Sequence, residues 1–137
     1  MQLIKFRLPK IGDFALNEMT YTTDMVKQFS ELVGDKNPVH LSKEYASKTI
    51  FKKPLVHGIL VTGQLSNLIA SELPGPGSVY IFQDLNFKHP VYHGDTITCR
   101  AEVVEVKVKK KVVLLEAVLK NQNDEIVIFG KSVIKII

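Results

Sequence analysis

Apolar and polar residues alternate with a period near two through the second half of the sequence, a pattern typical of β-strands. Val and Ile are abundant there, and the alternation predicts strands over residues 79–88, 95–108, 111–121 and 125–136. The segments between them are short, and connections this short join antiparallel neighbours. The chain after Ser78 is therefore expected to form an antiparallel sheet.

The chain before residue 50 combines strand and helix periods. Short alternating patterns predict strand-like segments over residues 2–8 and 14–22. The period then becomes helical, with one apolar face formed by Met25, Val26, Phe29, Leu32 and Val33. Thr23 or Asp24 can cap this helix and Gly34 is placed to end it. A short helix is predicted over residues 43–48.

The most apolar helix is predicted over residues 55–72. Its apolar residues lie nearly all round the helix, which indicates burial on every side. The segment Pro74-Gly75-Pro76-Gly77 ends it, since proline cannot continue a helix. A buried helix followed by an antiparallel meander predicts an α+β fold in which the sheet wraps around a long central helix.

Length and composition narrow the class of protein. The 137 residues predict a single domain over 1–137, since a domain takes about 150 residues. A net charge of +4, without a basic stripe interleaved with aromatics, does not indicate a nucleic-acid partner. The lone Cys99 excludes an internal disulfide and a cysteine-based metal site, which favours a reducing compartment. No stretch is typical of a signal peptide or a membrane span, so we expect a cytoplasmic protein.

Exposed apolar positions on the sheet predict a homodimer. Val103, Val104, Val106 and Val108 follow one another closely, and a monomer of this size cannot easily hide both sides of such a strand. A second copy would cover the side that faces away from the central helix.

The candidate chemistry lies in the segment from Gly34 to His40, which is interpreted as a loop. Pro38 removes a backbone donor and moves Asn37 away from helical dihedral angles. Asp35 and His40 are therefore expected to face each other across a turn. On residue types alone, Asp-x-Asn-Pro can equally be a structural turn.

This segment resembles the hydratase motif of (R)-specific enoyl-CoA hydratases, in the MaoC-like branch of hot-dog-fold proteins. The similarity continues through Lys53–Gly58, Leu73–Ser78 and Phe87–Val91 to Gly94-Asp95, and spans roughly residues 20–100. One departure is Val33, where the family usually has a small residue. The resemblance implies a hot-dog fold, an acyl-CoA substrate and no bound cofactor beyond the coenzyme A of that substrate; no metal-ligand array is evident.

The resemblance also implies roles for particular residues. Asp35 and His40 would hold the water that adds to a trans-2-enoyl thioester, and the backbone N–H of Gly58 would stabilise the enolate oxygen. Substrate-binding roles are implied for Asn37, His57, Ser66 and Ile69, which lie in the loop and along the central helix. His57 is also interpreted as a packing or hydrogen-bonding residue, Gly58 as a packing residue and Ile69 as core.

Other functions remain open from the sequence. The same chemistry on acyl carrier protein would make the chain a 3-hydroxyacyl dehydratase, and hot-dog folds also host thioesterases. A non-catalytic acyl-CoA-binding subunit is a further alternative. The cluster Lys107, Lys109, Lys110 and Lys111 is interpreted as a solvated hairpin end, with phosphate binding as the alternative.

Overall fold

A six-stranded antiparallel sheet forms most of the structure, a computed structural model that describes residues 7–137. The strand order is β1-β4-β5-β6-β2, and β3 pairs with β6. The strands are β1 (Phe14–Thr20), β2 (Ser78–Gln83), β3 (Asn86–Phe87), β4 (Thr96–Lys107), β5 (Val112–Lys120) and β6 (Ile126–Ile136). The predicted strand over residues 2–8 lies mostly outside the described residues, and Arg7 and Leu8 belong to no strand.

Within the described residues, four helices accompany the sheet: α1 (Thr23–Val33), α2 (Pro38–Leu41), α3 (Lys43–Ser47) and α4 (Gly58–Ser71). The α+β class is thus confirmed. The cap of α1 is Thr22, whose hydroxyl accepts the N–H of Met25 at 3.2 Å, and not Thr23 or Asp24 as predicted. Gly34 ends α1 in the left-handed conformation at φ 83°, where glycine carries no steric penalty.

The central helix α4 packs against the sheet through fully buried side chains, among them Val61, Leu65 and Leu68. A buried glutamine ties it to the strands. The amide of Gln64 donates to the backbone oxygen of Ile97 at 2.8 Å, and its own oxygen accepts the Tyr21 hydroxyl at 2.8 Å. Burial raises the pKa of Tyr21, so the phenol stays a donor.

Two predicted boundaries are wrong because backbone groups pair elsewhere. Helix α4 begins at Gly58 and not at residue 55, since Leu55 bridges Tyr92 and the N–H of Val56 donates to Val91 at 2.7 Å. The strand predicted over 79–88 divides into β2 and β3. Between them, the carboxylate of Asp84 accepts the N–H of Lys131 at 2.6 Å, which turns the chain across β6.

The crossing at Asp84 leaves no room for a side chain on Gly130 of β6. A Cβ there would lie 2.1 Å from the backbone oxygen of Asp84. We expect Gly130→Ala to lower the free energy of unfolding by about 2–3 kcal/mol, measured by urea denaturation. Gly63→Ala is the control, because a Cβ at Gly63 meets nothing within 4 Å. Equal midpoints for the two variants would contradict this packing.

The exposed apolar surface differs from the prediction. Val103 is 1% exposed and belongs to the core, whereas Val104 and Val108 are exposed. In the part of the chain that the structure describes, the longest exposed apolar run is instead Val79-Tyr80-Ile81-Phe82, on the edge strand β2. Among the described residues, no helix is long and apolar enough to cross a membrane.

Candidate active site

The loop after α1 carries Asp35 and starts a new helical turn. The backbone N–H of Asn37 donates to the Asp35 carboxylate at 3.2 Å, and the Asn37 side chain accepts the N–H of Val39 at 3.2 Å. Asn37 therefore caps α2, with Pro38 at its first position, where the missing N–H costs nothing. The interpretation of 34–40 as loop throughout is thus wrong, because His40 lies in α2 while Asp35 precedes it.

His40 has a defined proton arrangement. Its Nδ1 lies 2.9 Å from the backbone oxygen of Leu55, and a carbonyl oxygen only accepts, so Nδ1 carries the hydrogen. The other nitrogen, Nε2, is then free to accept a proton. Burial lowers the pKa of His40, and nearby His57 also lowers it, while the Leu55 hydrogen bond and the Asp35 charge oppose that shift.

His57 joins Asp35 and His40 from the segment before α4. One side-chain ligand atom from each of these residues lies within 4.8 Å of those of the other two. Two histidines and a carboxylate are a donor set that zinc accepts. The two rings are stacked, however, with centroids 3.9 Å apart and planes at 28°. Stacked rings direct their nitrogen lone pairs nearly side by side and not at one point, so we assign no metal to this trio.

A pocket of about 280 Å³ opens beside His40 and reaches the start of α4. The N–H groups in the first turn of α4 have no partner within the helix, and the side chain of His57, which precedes the helix, does not cap them. Gly58 lines the pocket, and a Cβ on it would lie 2.5 Å from the ring of Phe87. Gly58 therefore lets the Phe87 ring pack against the first turn of α4, whose N-terminus is the positive end of the helix. The remaining lining residues are Phe51, Leu55, Val56, Lys88, His89, Pro90, Val91 and Ile128.

Ser66 and Ile69 lie apart from this pocket. Ser66 is exposed in a depression of about 180 Å³ shared with Ile59 and Tyr80, and Ile69 is 2% exposed in the core.

The lysines at 107–111 belong to the β4–β5 hairpin. Next to this hairpin, Val112 of β5 pairs with Lys135 of β6. Along β6, Lys135 is about 23 Å from the pocket residue Ile128, because a strand rises about 3.3 Å per residue.

Sequence reasoning missed two contributors to the site. Ser30 is 2% exposed, and its hydroxyl oxygen lies 3.2 Å from Nε2 of His57. The sequence feature that could have indicated Ser30 is its position four residues after the apolar Val26. This spacing puts both residues on the inner face of α1. Lys88 is the lysine that lines the pocket, and only its place within the resembling segment pointed to it.

Comparisons with known proteins identify the family of the chain. The sequence model of one family, described as a MaoC-like domain, matches residues 12–124. The chain is 33% identical to 3-hydroxybutyryl-CoA dehydratase of Methylorubrum extorquens over 136 residues, 99% of this chain and 86% of the relative. It is 34% identical to a mitochondrial 3-hydroxyacyl-[acyl-carrier-protein] dehydratase of Arabidopsis thaliana over 128 residues, 91% and 76% respectively.

A solved structure extends the likeness to the fold. The (R)-hydratase from Aeromonas caviae superposes with a TM-score of 0.90 at 33% identity, covering 94% of this chain and 98% of that one. The predicted hot-dog fold is thereby confirmed. The relatives and this solved structure are named as hydratases or dehydratases.

Proposed function

Because the chain belongs to the MaoC-like dehydratase family of hydro-lyases, we propose that it hydrates trans-2-enoyl-CoA reversibly to (3R)-3-hydroxyacyl-CoA. The observation that carries this proposal is the convergence of the Asp35 carboxylate and His40 beside a pocket at the start of α4. Asp35, His40 and Gly58 are the proposed catalytic groups, and Asn37 supports the loop by capping α2.

The proposed reaction uses the free nitrogen of His40. A water held between Nε2 and the Asp35 carboxylate loses a proton to Nε2 while its oxygen bonds to C3 of the enoyl group. The C2–C3 π electrons move toward the thioester carbonyl and form an enolate. The proton on Nε2 then passes to C2, so the elements of one water are added in total.

The enolate oxygen needs a donor that is in place before charge develops. The N–H of Gly58, in the first turn of α4, can supply it, and the helix dipole adds to the stabilisation. Phe87 packs over Gly58 and the pocket lining is mainly apolar, so a bound acyl group would displace water from around this oxygen. Exclusion of water strengthens such a hydrogen bond.

The proposal is tested by incubating the purified protein with crotonyl-CoA and following the loss of the conjugated enoyl-thioester absorbance. Turnover without release of free thiol is the expected result. Thiol release, detected with a thiol reagent, would instead indicate a thioesterase. Tight binding without turnover would indicate an acyl-CoA-binding subunit.

A dehydratase acting on acyl carrier protein is the second candidate, and the Arabidopsis relative favours it. Lys88 at the pocket suits phosphate in either carrier, since both present the acyl group on phosphopantetheine. A competition experiment between crotonyl-CoA and crotonyl-acyl carrier protein distinguishes the two candidate functions. We expect crotonyl-CoA to be the better substrate, as for the hydratase relatives named for acyl-CoA.

Because the reaction requires neutral His40, its rate should fall when the pH is low enough to protonate this residue. Burial lowers the pKa of His40 below its ordinary value of about 6.5. We expect kcat/KM for hydration to stay constant near neutrality and to fall as the pH drops through a midpoint below about 6.5. A pH–rate profile with crotonyl-CoA measures this. A midpoint clearly above 6.5 would contradict His40 as the base.

We also propose that the chain forms a homodimer through the edge strand β2. This strand exposes four consecutive apolar residues, with Ile81 60% and Phe82 53% exposed, and within residues 7–137 it pairs with β6 on one side only. Such an edge can pair with the same edge of a second copy about a two-fold axis. Ser66 lies in the depression beside Tyr80, which a second copy would cover.

Ile81→Lys should convert this dimer into a monomer, because it places a charge at the centre of the apolar edge. Light scattering should give twice 15.4 kDa for the parent chain and 15.4 kDa for the variant. Val108→Lys, 66% exposed on the β4–β5 hairpin, is the matched control and should remain dimeric. A monomeric parent chain would disprove the dimer.

A further inference from the structure

His57 contacts both members of the proposed catalytic pair. It is 2% exposed, and its ring stacks on His40 with centroids 3.9 Å apart. Its Nε2 lies 3.1 Å from the backbone oxygen of Asp35 and 3.2 Å from the Ser30 hydroxyl. Phe29 contacts the same ring edge-on at 4.9 Å between centroids. The imidazole is thus held between α1, the Asp35 loop and α2.

The hydrogen on this ring can be located from its partners. The Asp35 carbonyl only accepts, so Nε2 of His57 carries the hydrogen and donates it. The Ser30 oxygen shares that donor from the side of α1. Nδ1 is buried and has no hydrogen-bond partner among the described residues.

We propose that His57 is a positioning residue for the Asp35–His40 pair, an inference that rests on the proposed function. Its N–H fixes the backbone of Asp35, and its ring fixes the plane of His40. The space in which the water sits is therefore set by a side chain that takes no proton itself. Gly58 follows directly in sequence, so one dipeptide aligns both the water-binding pair and the enolate donor.

A packing role alone does not explain this residue. A buried nitrogen without a partner lowers the stability of the fold, and an apolar ring of similar size would avoid that cost. The N–H of His57 reaches the Asp35 loop, which a phenyl ring cannot hold. The imidazole of His57 therefore both fills its buried site and forms a hydrogen bond to the Asp35 loop.

Two substitutions separate the hydrogen bond from the ring. His57→Phe keeps an aromatic ring against His40 but loses the donor, whereas His57→Gln keeps an N–H near the position of Nε2. We expect kcat for crotonyl-CoA to fall about 10- to 100-fold in His57→Phe, as for a small misplacement of reacting groups, with KM changed less than about 3-fold. On a logarithmic scale, kcat of His57→Gln should regain at least a third of the loss expected for His57→Phe.

The control is His93→Phe. His93 is partly buried, and its Nδ1 contacts the Thr23 hydroxyl at 3.1 Å, away from the pair. We expect this variant to keep the parent kcat. Equal kcat in His57→Phe and the parent chain, or equal losses in His57→Phe and His57→Gln at matched thermal stability, would overturn the proposal.

The pH profile provides a second readout of the contact between His57 and His40. Asp35 and His57 act electrostatically on His40, and Lys88 and His89, from the segment after β3, line the same pocket. Removing the imidazole of His57 removes an influence that lowers the pKa of His40. The acid limb of kcat/KM should therefore move to higher pH in His57→Phe, and an unmoved limb counts against the proposal.

An NMR measurement separates failure of this inference from failure of the proposed function. Long-range proton–nitrogen spectra of the parent chain at pH 8 should show His57 with its hydrogen on Nε2. The amide of Asn37, which donates to the Asp35 carboxylate at 3.2 Å, should shift in His57→Phe and return toward its original position in His57→Gln. A hydrogen on Nδ1, or an Asn37 amide unmoved in both variants, overturns the inference even if the chain proves inactive on enoyl thioesters.

Discussion

Replacing His40 by alanine should lower kcat for crotonyl-CoA hydration by about a thousandfold, because the variant has no group to take the proton from water. The Nδ1 hydrogen bond to Leu55 orients the ring with Nε2 unprotonated, and no other imidazole nitrogen in the pocket is held in this way. The measurement is the loss of enoyl-thioester absorbance at saturating substrate.

His89→Ala is the matched control for His40. His89 lines the same pocket but is exposed, so its removal changes the histidine content of the pocket without touching the pair. We expect kcat of this variant to stay within about 3-fold of the parent value. If His40→Ala also stayed within that range, His40 would have no part in proton transfer.

Asp35→Asn should give a loss of similar size, about a thousandfold in kcat. The amide has the shape of the carboxylate and can still accept the N–H of Asn37, so the loop should keep its conformation. It lacks the negative charge that holds the water and stabilises protonated His40. Circular dichroism and thermal unfolding should match the parent chain.

Glu31→Gln distinguishes the local role of Asp35 from a general loss of negative charge. Glu31 is exposed on α1 and forms a surface ion pair with Lys36 at 3.1 Å. Exposed pairs of this kind contribute less than about 1 kcal/mol, so kcat and stability should hardly change. A loss in Glu31→Gln equal to that in Asp35→Asn would show that long-range charge alone acts on the rate.

The parts of the fold that sequence reasoning predicted correctly depend on local signals. The end of α1 at Gly34 follows from the left-handed conformation that glycine allows, and β4, β5 and β6 follow from their alternation. The errors depend on distant partners. The late start of α4 results from pairing of residues 55–56 with 91–92, and the gap between β2 and β3 results from the bond between Asp84 and Lys131.

The same distinction applies to the site. Asp35 and His40 are five residues apart, so one turn and one short helix are enough to bring them together, and this could be anticipated. The contact of His57 with both, and the burial of Ser30 beneath it, result from packing between α1 and the segment before α4. No linear pattern encodes that packing. Ser66 lies outside the His40 pocket for a similar reason, since the direction of a helical residue depends on where the helix docks.

The most direct test of water addition by the Asp35–His40 pair is product analysis in water enriched in the heavy oxygen isotope. Purified protein is incubated with crotonyl-CoA, and the thioester product is examined by mass spectrometry and chiral chromatography. We expect 3-hydroxybutyryl-CoA of the R configuration with the heavy oxygen on C3, and none from the Asp35→Asn/His40→Ala double variant. Unchanged crotonyl-CoA, free crotonate, or equal product from the double variant would contradict it.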